Sequence, residues 1–352
     1  MRVYVSYFFS ADEKYIKYLA SLLNSIVSST IRGRSFRDYI DRCKGVAGRR
    51  SIEEFSDVEL NEGYVFHVLS NKAFQKKTTS QLSQMEKLLS GKYPCNIISH
   101  IVEDDFFHQS EIPTWKGNYQ AYFRFFIDRF VQDDVKFALC LDVDMLVLDD
   151  LRKLWTYDCN ASTVMVADLP EVFGSDVFNS GFIFFNVRAW REGDWANKCL
   201  QYTKINKTHD QDTLNAVIDK GAILFISSEW NYCFQTFQSD DDGLLRFEEK
   251  DKLISSLKII HYIRPKPWMN IMEWFYPSRG KCLRYQGVID LWWKNALMTP
   301  CFSDELFDIK LKINEEAAEL VGSYVKGAVF FVIRVKRWFR RKMKYFRNVT
   351  DT

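Results

Sequence analysis

The residues Phe137-Ala138-Leu139-Cys140-Leu141-Asp142-Val143-Asp144-Met145-Leu146-Val147 make an apolar run broken by two carboxylates one valine apart. Such a run predicts a strand buried on both faces, and therefore a sheet covered on both sides. Residues i and i+2 of a strand project to one side, so Asp142 and Asp144 are expected to share a face, with Val143 turned to the core. Two anions so close repel each other, and without a cation or strong donors one of them keeps its proton at a raised pKa. A bound divalent metal is the simplest compensation. The competing reading is an acidic loop after the strand with both carboxylates solvated, and so short a pattern does not decide between them.

The remainder of the chain alternates strand-like and helix-like segments, as a mostly parallel sheet requires. Val3 to Phe9 reads as a first buried strand. A polar turn, Ser10-Ala11-Asp12-Glu13, leads into a helix with Tyr15, Ile16, Leu19, Leu22, Leu23 and Ile26 as its apolar stripe. This is the opening of a Rossmann-like unit without the Gly-rich turn of a dinucleotide fingerprint. Asp12 is placed either to meet a ligand at the strand's carboxyl end or to cap the helix. Residues 29–63 break the pattern with a basic and then an acidic section, read as an inserted surface element with partial helix. Strands follow at Val65–Leu69 and Asn96–Ile101, with a helix at Thr79–Leu89 between them.

The 352 residues, 47% of them apolar and 16% aromatic, are enough for one large core. One main domain with an appendage is expected, because α/β domains often run to about 200–250 residues as a unit. A net charge of +2 excludes nucleic-acid binding by overall charge. The eight cysteines contain no CxxC pair, which argues against zinc and fits a reducing cytosol. There is no signal-peptide pattern and no apolar run near the ~20 residues needed to span a bilayer; a soluble or membrane-attached chain is expected.

Several further residues carry chemistry. Arg124 is a cation set among the aromatics of a helix predicted over Tyr119–Phe130, where snorkelling to solvent is the ordinary fate. Asn179, in Phe178-Asn179-Ser180-Gly181, can donate to and accept from a hydroxyl, and Gly181 permits close approach; a β-bulge is the bland alternative. His209-Asp210-Gln211-Asp212 opens another helix. His261 follows a late strand and precedes Arg264, Lys266 and two prolines. With Asp142 and Asp144 it would complete a two-carboxylate, one-imidazole metal site with positions open for a diphosphate.

In order, Asp12 with Tyr15, Tyr122-Phe123-Arg124, Leu141-Asp142-Val143-Asp144, Phe178-Asn179-Ser180-Gly181 with Asn186 and Trp190, Asp210-Gln211-Asp212-Thr213-Leu214-Asn215, Trp230-Asn231-Tyr232, and His261 with Lys266-Pro267-Trp268 resemble glycosyltransferase family 8. The likeness is to the bacterial lipopolysaccharide galactosyl- and glucosyltransferases, and it covers residues 1 to about 270. It implies an α/β fold of GT-A type, a UDP-sugar donor, Mn²⁺ (with Mg²⁺ as a substitute), and transfer with retention. It also implies roles: Asp142, Asp144 and His261 on the metal; Ala11, Asp12, Tyr15 and Val143 at the nucleotide; Arg124, Asn179, Asp210 and Gln211 around the donor sugar; Lys266 and Arg264 at the diphosphate. The sequence departs from the family in having Glu13-Lys14 after Asp12, in a segment one residue short after His261 with Arg264 in place of a glycine, and in residues 29–63.

These readings give a catalytic domain over 1–275 and a helical region over 276–352 that ends in a tail. From 321 to 347 the tail interleaves aromatics with Lys and Arg, as expected of a helix lying on an anionic membrane. That would put the enzyme on the cytoplasmic face of an inner membrane, next to a lipid-linked acceptor, with no nucleic acid involved. In the expected mechanism the acceptor hydroxyl attacks the retained face and the leaving phosphate oxygen takes its proton. Gln211 is a poor nucleophile, and Asp210 is the other candidate. Two rivals stand beside this reading: a non-catalytic carbohydrate-binding protein on a degenerate transferase fold, and a metal-dependent phosphoryl-transfer enzyme, which would need further clustered acids.

Overall fold

The computed structural model describes residues 5–55, 60, 63–174, 176–235, 255–264, 266–269 and 286–319, with Val5, Glu171, Val172, Phe234, Gln235, Arg264 and Gln286 only in their backbone. The 275/276 boundary and the basic aromatic tail lie outside the described residues.

The main sheet has seven strands: β1 (Val5–Ser10), β2 (Tyr64–Ser70), β3 (Cys95–Ile101), β4 (Phe137–Leu141), β6 (Val164–Ala167), β7 (Phe182–Asn186) and β8 (Ile223–Ile226), in spatial order β3-β2-β1-β4-β7-β6-β8. Every neighbouring pair is parallel except the two made by β7. Alternation along β1 divides the core: Tyr7 and Phe9 face one apolar cluster with Leu19, Leu22 and Leu23, whereas Phe8 faces another with Phe123, Phe126 and Trp190. Covered on both sides, β4 is buried at all five positions, which is why its sequence is continuously apolar.

The helix Ile16–Ser29 buries Ile16, Leu19, Leu22, Leu23 and Ile26 of its predicted stripe, with Tyr15 half-buried just before it, and also buries Ser21, Asn24 and Ser25. The second burial comes from the helix Gln286–Ala296, whose Asn295 donates to Ser21 O (2.7 Å) and accepts from Asn24 (2.9 Å). Polar groups between these helices are thus paired with each other. Residues 303–319 form a further helix.

The stretch read as an inserted surface element with partial helix contains the helix Phe36–Arg42, and part of it is packed. Phe36, Tyr39, Ile40, Arg50 and Phe55 are buried. The helix Phe36–Arg42 starts with a reciprocal capping box between Ser35 and Asp38. Buried Asp150 accepts from Ile31 N (2.9 Å) and Tyr39 OH (2.8 Å), and its partner Arg152 donates to Arg34 O (2.8 Å) and Ile31 O (3.1 Å). Backbone groups of Ile31 and Arg34 and the Tyr39 hydroxyl thus close on a buried ion pair supplied by another segment.

Candidate metal and donor site

The strand expected over Phe137–Val147 is two strands. β4 ends at Leu141, the chain turns at Val143–Asp144, and β5 (Met145–Val147) joins a separate three-stranded sheet of order β5-β10-β9, with β9 at Tyr232–Gln235 and β10 at Ile259–Arg264. The two carboxylates therefore occupy the crossing between sheets, and strand alternation does not set their directions. Backbone bonds to both neighbours set them instead: Asp142 N donates to Gly181 O and Tyr262 N to Asp144 O, each at 2.9 Å. Register pairs His261 with Met145, so the imidazole arrives beside Asp144.

Ligand atoms of Asp142, Asp144 and His261 lie within 4.8 Å of one another. His261 Nε2 is 3.2 Å from Asp144 Oδ1 and 3.7 Å from Asp142 Oδ2, with His261 and Asp144 buried and Asp142 half-buried. The backbone is cleared for them at Gly181, where a Cβ would fall 2.4 Å from His261 Cε1 and 2.9 Å from Asp142 Oδ2. Two carboxylate oxygens and one imidazole nitrogen at this separation fit a divalent cation.

The repulsion between the carboxylates is also relieved by protein cations. Arg124, 5% exposed, donates through Nη2 to Asp142 Oδ1 (2.6 Å) and through Nη1 to Ser180 O, and its Nε lies 3.2 Å from Asp210 Oδ2. Burial of Asp142 opposes its charge, but Arg124, then His261 and Lys266, outweigh burial and hold its carboxyl below the ordinary carboxylate range. Lys266 pairs with Asp144. Burial pulls the Lys266 ammonium down to about 8; Asp142 resists this, and the charge of Lys116 adds to it. Lys116 stands in a tight turn closed by mutual bonds between Trp115 and Asn118, at the strained φ of 49°. The ring of Trp268 stacks on Tyr18 at 3.9 Å, tying the Lys266 segment to the first helix.

Beyond Arg124, a hydrogen-bonded group of polar side chains extends from the pair. Ser180 Oγ donates to Asp210 Oδ2 (2.8 Å), and Gln211 Oε1 accepts from Asn179 Nδ2 (3.0 Å) and Ser180 N (3.3 Å). Arg124 is thus not solvated, and its helix is a 3₁₀ stretch, Gln120–Arg129, kinked at Phe126. Asn179 lies in no bulge; its Oδ1 accepts from Gly181 N (3.0 Å). Ala11, Asp12 and Tyr15 occupy the neighbouring strand end. The Asp12 carboxylate accepts from Lys14 N (3.0 Å) and Tyr15 N (2.9 Å), so it starts the helix; Ala11 is fully buried, and Val143 is half-buried against the core. The structure adds Asn231, which sequence reasoning noted only within Trp230-Asn231-Tyr232. It is fully buried between Asn179 and His261. An isolated amide between apolar residues just before a short strand was the available signal.

The profile of the family described as glycosyl transferase family 8 matches residues 6–272. Curated relatives include the glycosyltransferase GlyB of Streptococcus pneumoniae, 30% identical over 51% of this chain and 46% of its own length, and the probable glycosyl transferase Gly of Streptococcus gordonii, 29% identical over 63% of this chain and 31% of its own. The chain thus spans under half the length of these two. The lipopolysaccharide 1,3-galactosyltransferase of Salmonella typhimurium is 25% identical over 73% of this chain and 79% of its own length. Among solved structures, the galactosyltransferase LgtC with donor and acceptor sugar analogs superposes with a TM-score of 0.55 at 19% identity, covering 83% of this chain and 95% of that one. That likeness establishes the fold as GT-A. With the family profile across three quarters of its sequence, the chain belongs to glycosyl transferase family 8.

Proposed function

We propose that the chain is a retaining hexosyltransferase that moves glucose or galactose from a UDP-sugar, with Mn²⁺, to a lipid-linked or lipopolysaccharide-type saccharide. The observation that carries this reading is the convergence of Asp142, Asp144 and His261 with Lys266 on one side and the Arg124–Asp210–Asn179–Gln211 network on the other. When bound, the metal supplies Lewis-acid neutralisation of charge on a diphosphate.

The chain's own groups do the rest. Lys266, whose ammonium burial lowers to about 8 and so leaves largely charged at neutral pH, stabilises a diphosphate leaving group. Arg264 is proposed as a second cation there, and Ala11, Asp12, Tyr15 and Val143 as the nucleotide's neighbours. Arg124 holds Asp142 and Asp210 in place, so that the donor sugar meets prearranged acceptors. Gln211 Oε1 already accepts two hydrogen bonds, which leaves its NH₂ as a donor to a hydroxyl and makes the oxygen a poor nucleophile. Asp210 Oδ2 is likewise engaged by Ser180 and Arg124. Attack of the acceptor hydroxyl on the retained face, with its proton passing to the departing phosphate oxygen, fits these bonds better than a covalent intermediate.

Release of UDP from a panel of UDP-sugars, with Mn²⁺ and then with EDTA, tests the reading. Mn²⁺-dependent hydrolysis of one UDP-hexose is expected, abolished in Asp144→Asn with the fold intact. A chain that fails to bind UDP with Mn²⁺ would lose the donor assignment to the carbohydrate-binding alternative. The galactosyltransferase relative makes a cytoplasmic site at an inner membrane, with 1–275 as catalytic domain and 321–347 as lipid-binding segment, the matching cellular proposal. Among the described residues no helix is long and apolar enough to cross a membrane. Flotation with anionic liposomes is expected for the full chain and not for a chain ending at residue 320.

A further inference from the structure

Four side chains form a continuous line of hydrogen bonds under the site. Gln211 Oε1 accepts from Asn179 Nδ2 (3.0 Å); Asn179 Oδ1 accepts from Asn231 Nδ2 (3.1 Å); Asn231 Oδ1 lies 3.1 Å from His261 Nδ1. The direction of this line is not free, because two backbone amides, which can only donate, meet it. Gly181 N donates to Asn179 Oδ1 (3.0 Å) and Ser180 N to Gln211 Oε1 (3.3 Å). Each fixes which end of its amide is oxygen. With Asn179 Oδ1 fixed as an acceptor, Asn231 must turn its NH₂ to it and its oxygen to His261. An amide oxygen only accepts, so His261 Nδ1 must carry the hydrogen.

We infer that Asn231 is a positioning residue that holds His261 as the Nδ1–H tautomer and so keeps Nε2 unprotonated toward Asp142 and Asp144, with the polarity set at a distance by Gly181 N–H. Nε2 is the nitrogen that faces both carboxylates. Only a nitrogen lone pair can ligate a metal, and the opposite tautomer would put a hydrogen where the ion belongs. Asn231 is suited to this because it is fully buried and offers one donor and one acceptor on opposite sides. Leucine would fill similar volume without either, and aspartate would keep the acceptor for His261 but set a second oxygen against Asn179 Oδ1. The inference rests on the metal site proposed above, and it makes the same line join the metal end of the site to the donor-sugar end.

Histidine-selective ¹⁵N labelling of the metal-free full chain, read at a pH where the ring is neutral, reports the tautomer directly. Nδ1–H is expected; a protonated Nε2 overturns the inference. Mn²⁺ alone, titrated and followed by the electron paramagnetic resonance of the free ion, supplies the second readout. Asn231→Leu is expected to weaken Mn²⁺ by about 10–100-fold, the usual effect of removing a partner behind a ligating histidine. Asn231→Asp, which keeps the acceptor, is expected to bind Mn²⁺ at least as tightly as wild type. Asn231→Leu binding like wild type, or Asn231→Asp binding as weakly as Asn231→Leu, overturns the inference. Should Asn231→Leu fail to fold, the wild-type tautomer and the aspartate variant decide. Asp144→Asn in the same titration separates the two levels: if it too binds Mn²⁺ like wild type, the metal site itself falls.

Discussion

Arg124 and Gly181 show how far single residues could be read before folding. An arginine among aromatics looks solvated, because its ionic and carbonyl partners, Asp142, Asp210 and Ser180, come from distant parts of the chain and leave no local trace. Its role as the hub that ionises Asp142 is a property of the assembled site. Arg124→Lys keeps the charge but cannot span three acceptors with one ammonium. Its UDP-sugar turnover should fall by about 10–100-fold, with Mn²⁺ titration and UDP release as the measurements. Gly181, by contrast, was legible as a point of close approach. An added Cβ would meet His261 Cε1 at 2.4 Å and Asp142 Oδ2 and Asn179 Oδ1 at 2.9 Å, all on side chains already fixed by hydrogen bonds or ion pairs. Gly181→Ala should therefore lower stability by about 1–3 kcal/mol and lose Mn²⁺ binding; a melting curve and Mn²⁺ titration matching wild type would show that the ring can shift without harm.

Elements with a strong period were legible, and those built from borrowed partners were not. The first helix and β4 follow from apolar spacing alone, since each buries a whole face. Residues 31–55 carry only one short apolar face, Phe36, Tyr39 and Ile40, and they also close on the Asp150–Arg152 pair contributed from beyond β5. Both charges are fully buried. Burial opposes ionisation of Asp150, yet Arg152, the Ile31 amide and the Tyr39 hydroxyl together hold its pKa below the ordinary value. Asp150→Ala would leave Arg152 buried without its counter-ion, at a cost of about 3–5 kcal/mol. Chemical denaturation should show that loss, and protease should cut first within residues 31–55; cleavage elsewhere would mean the clamp is not what holds this segment.

The whole molecule follows the expected α/β plan, but its second sheet escaped prediction because β5 and β9 have only three and four residues, too few for any pattern. Global stability should also respond to acid through β2 and β3. His67 is stacked on Phe8 at 4.4 Å and shares a 2.8 Å contact between its Nδ1 and His100 Nε2. Burial, helped by His100, lowers His67 from 6.5 to about 3. The unfolded chain therefore takes up this proton first as pH falls. The stability from a neutral His67 is fully present above about 6.5 and drains away toward pH 3, with a slope approaching about 1.4 kcal/mol per pH unit. His67→Phe should flatten that limb in denaturation curves taken from neutral to acid pH; an unchanged limb would place the acid sensitivity elsewhere. The seam between the two sheets has a further consequence, in the order of synthesis. Asp142 and Asp144 leave the ribosome long before β10 brings His261, and β5 has no neighbour in its sheet until β9 and β10 follow. A nascent chain can close most of the large sheet while the candidate metal site still lacks its imidazole. On the proposed function, the candidate metal site would be completed only by the late docking of one strand, so a chain released before β10 would lack it.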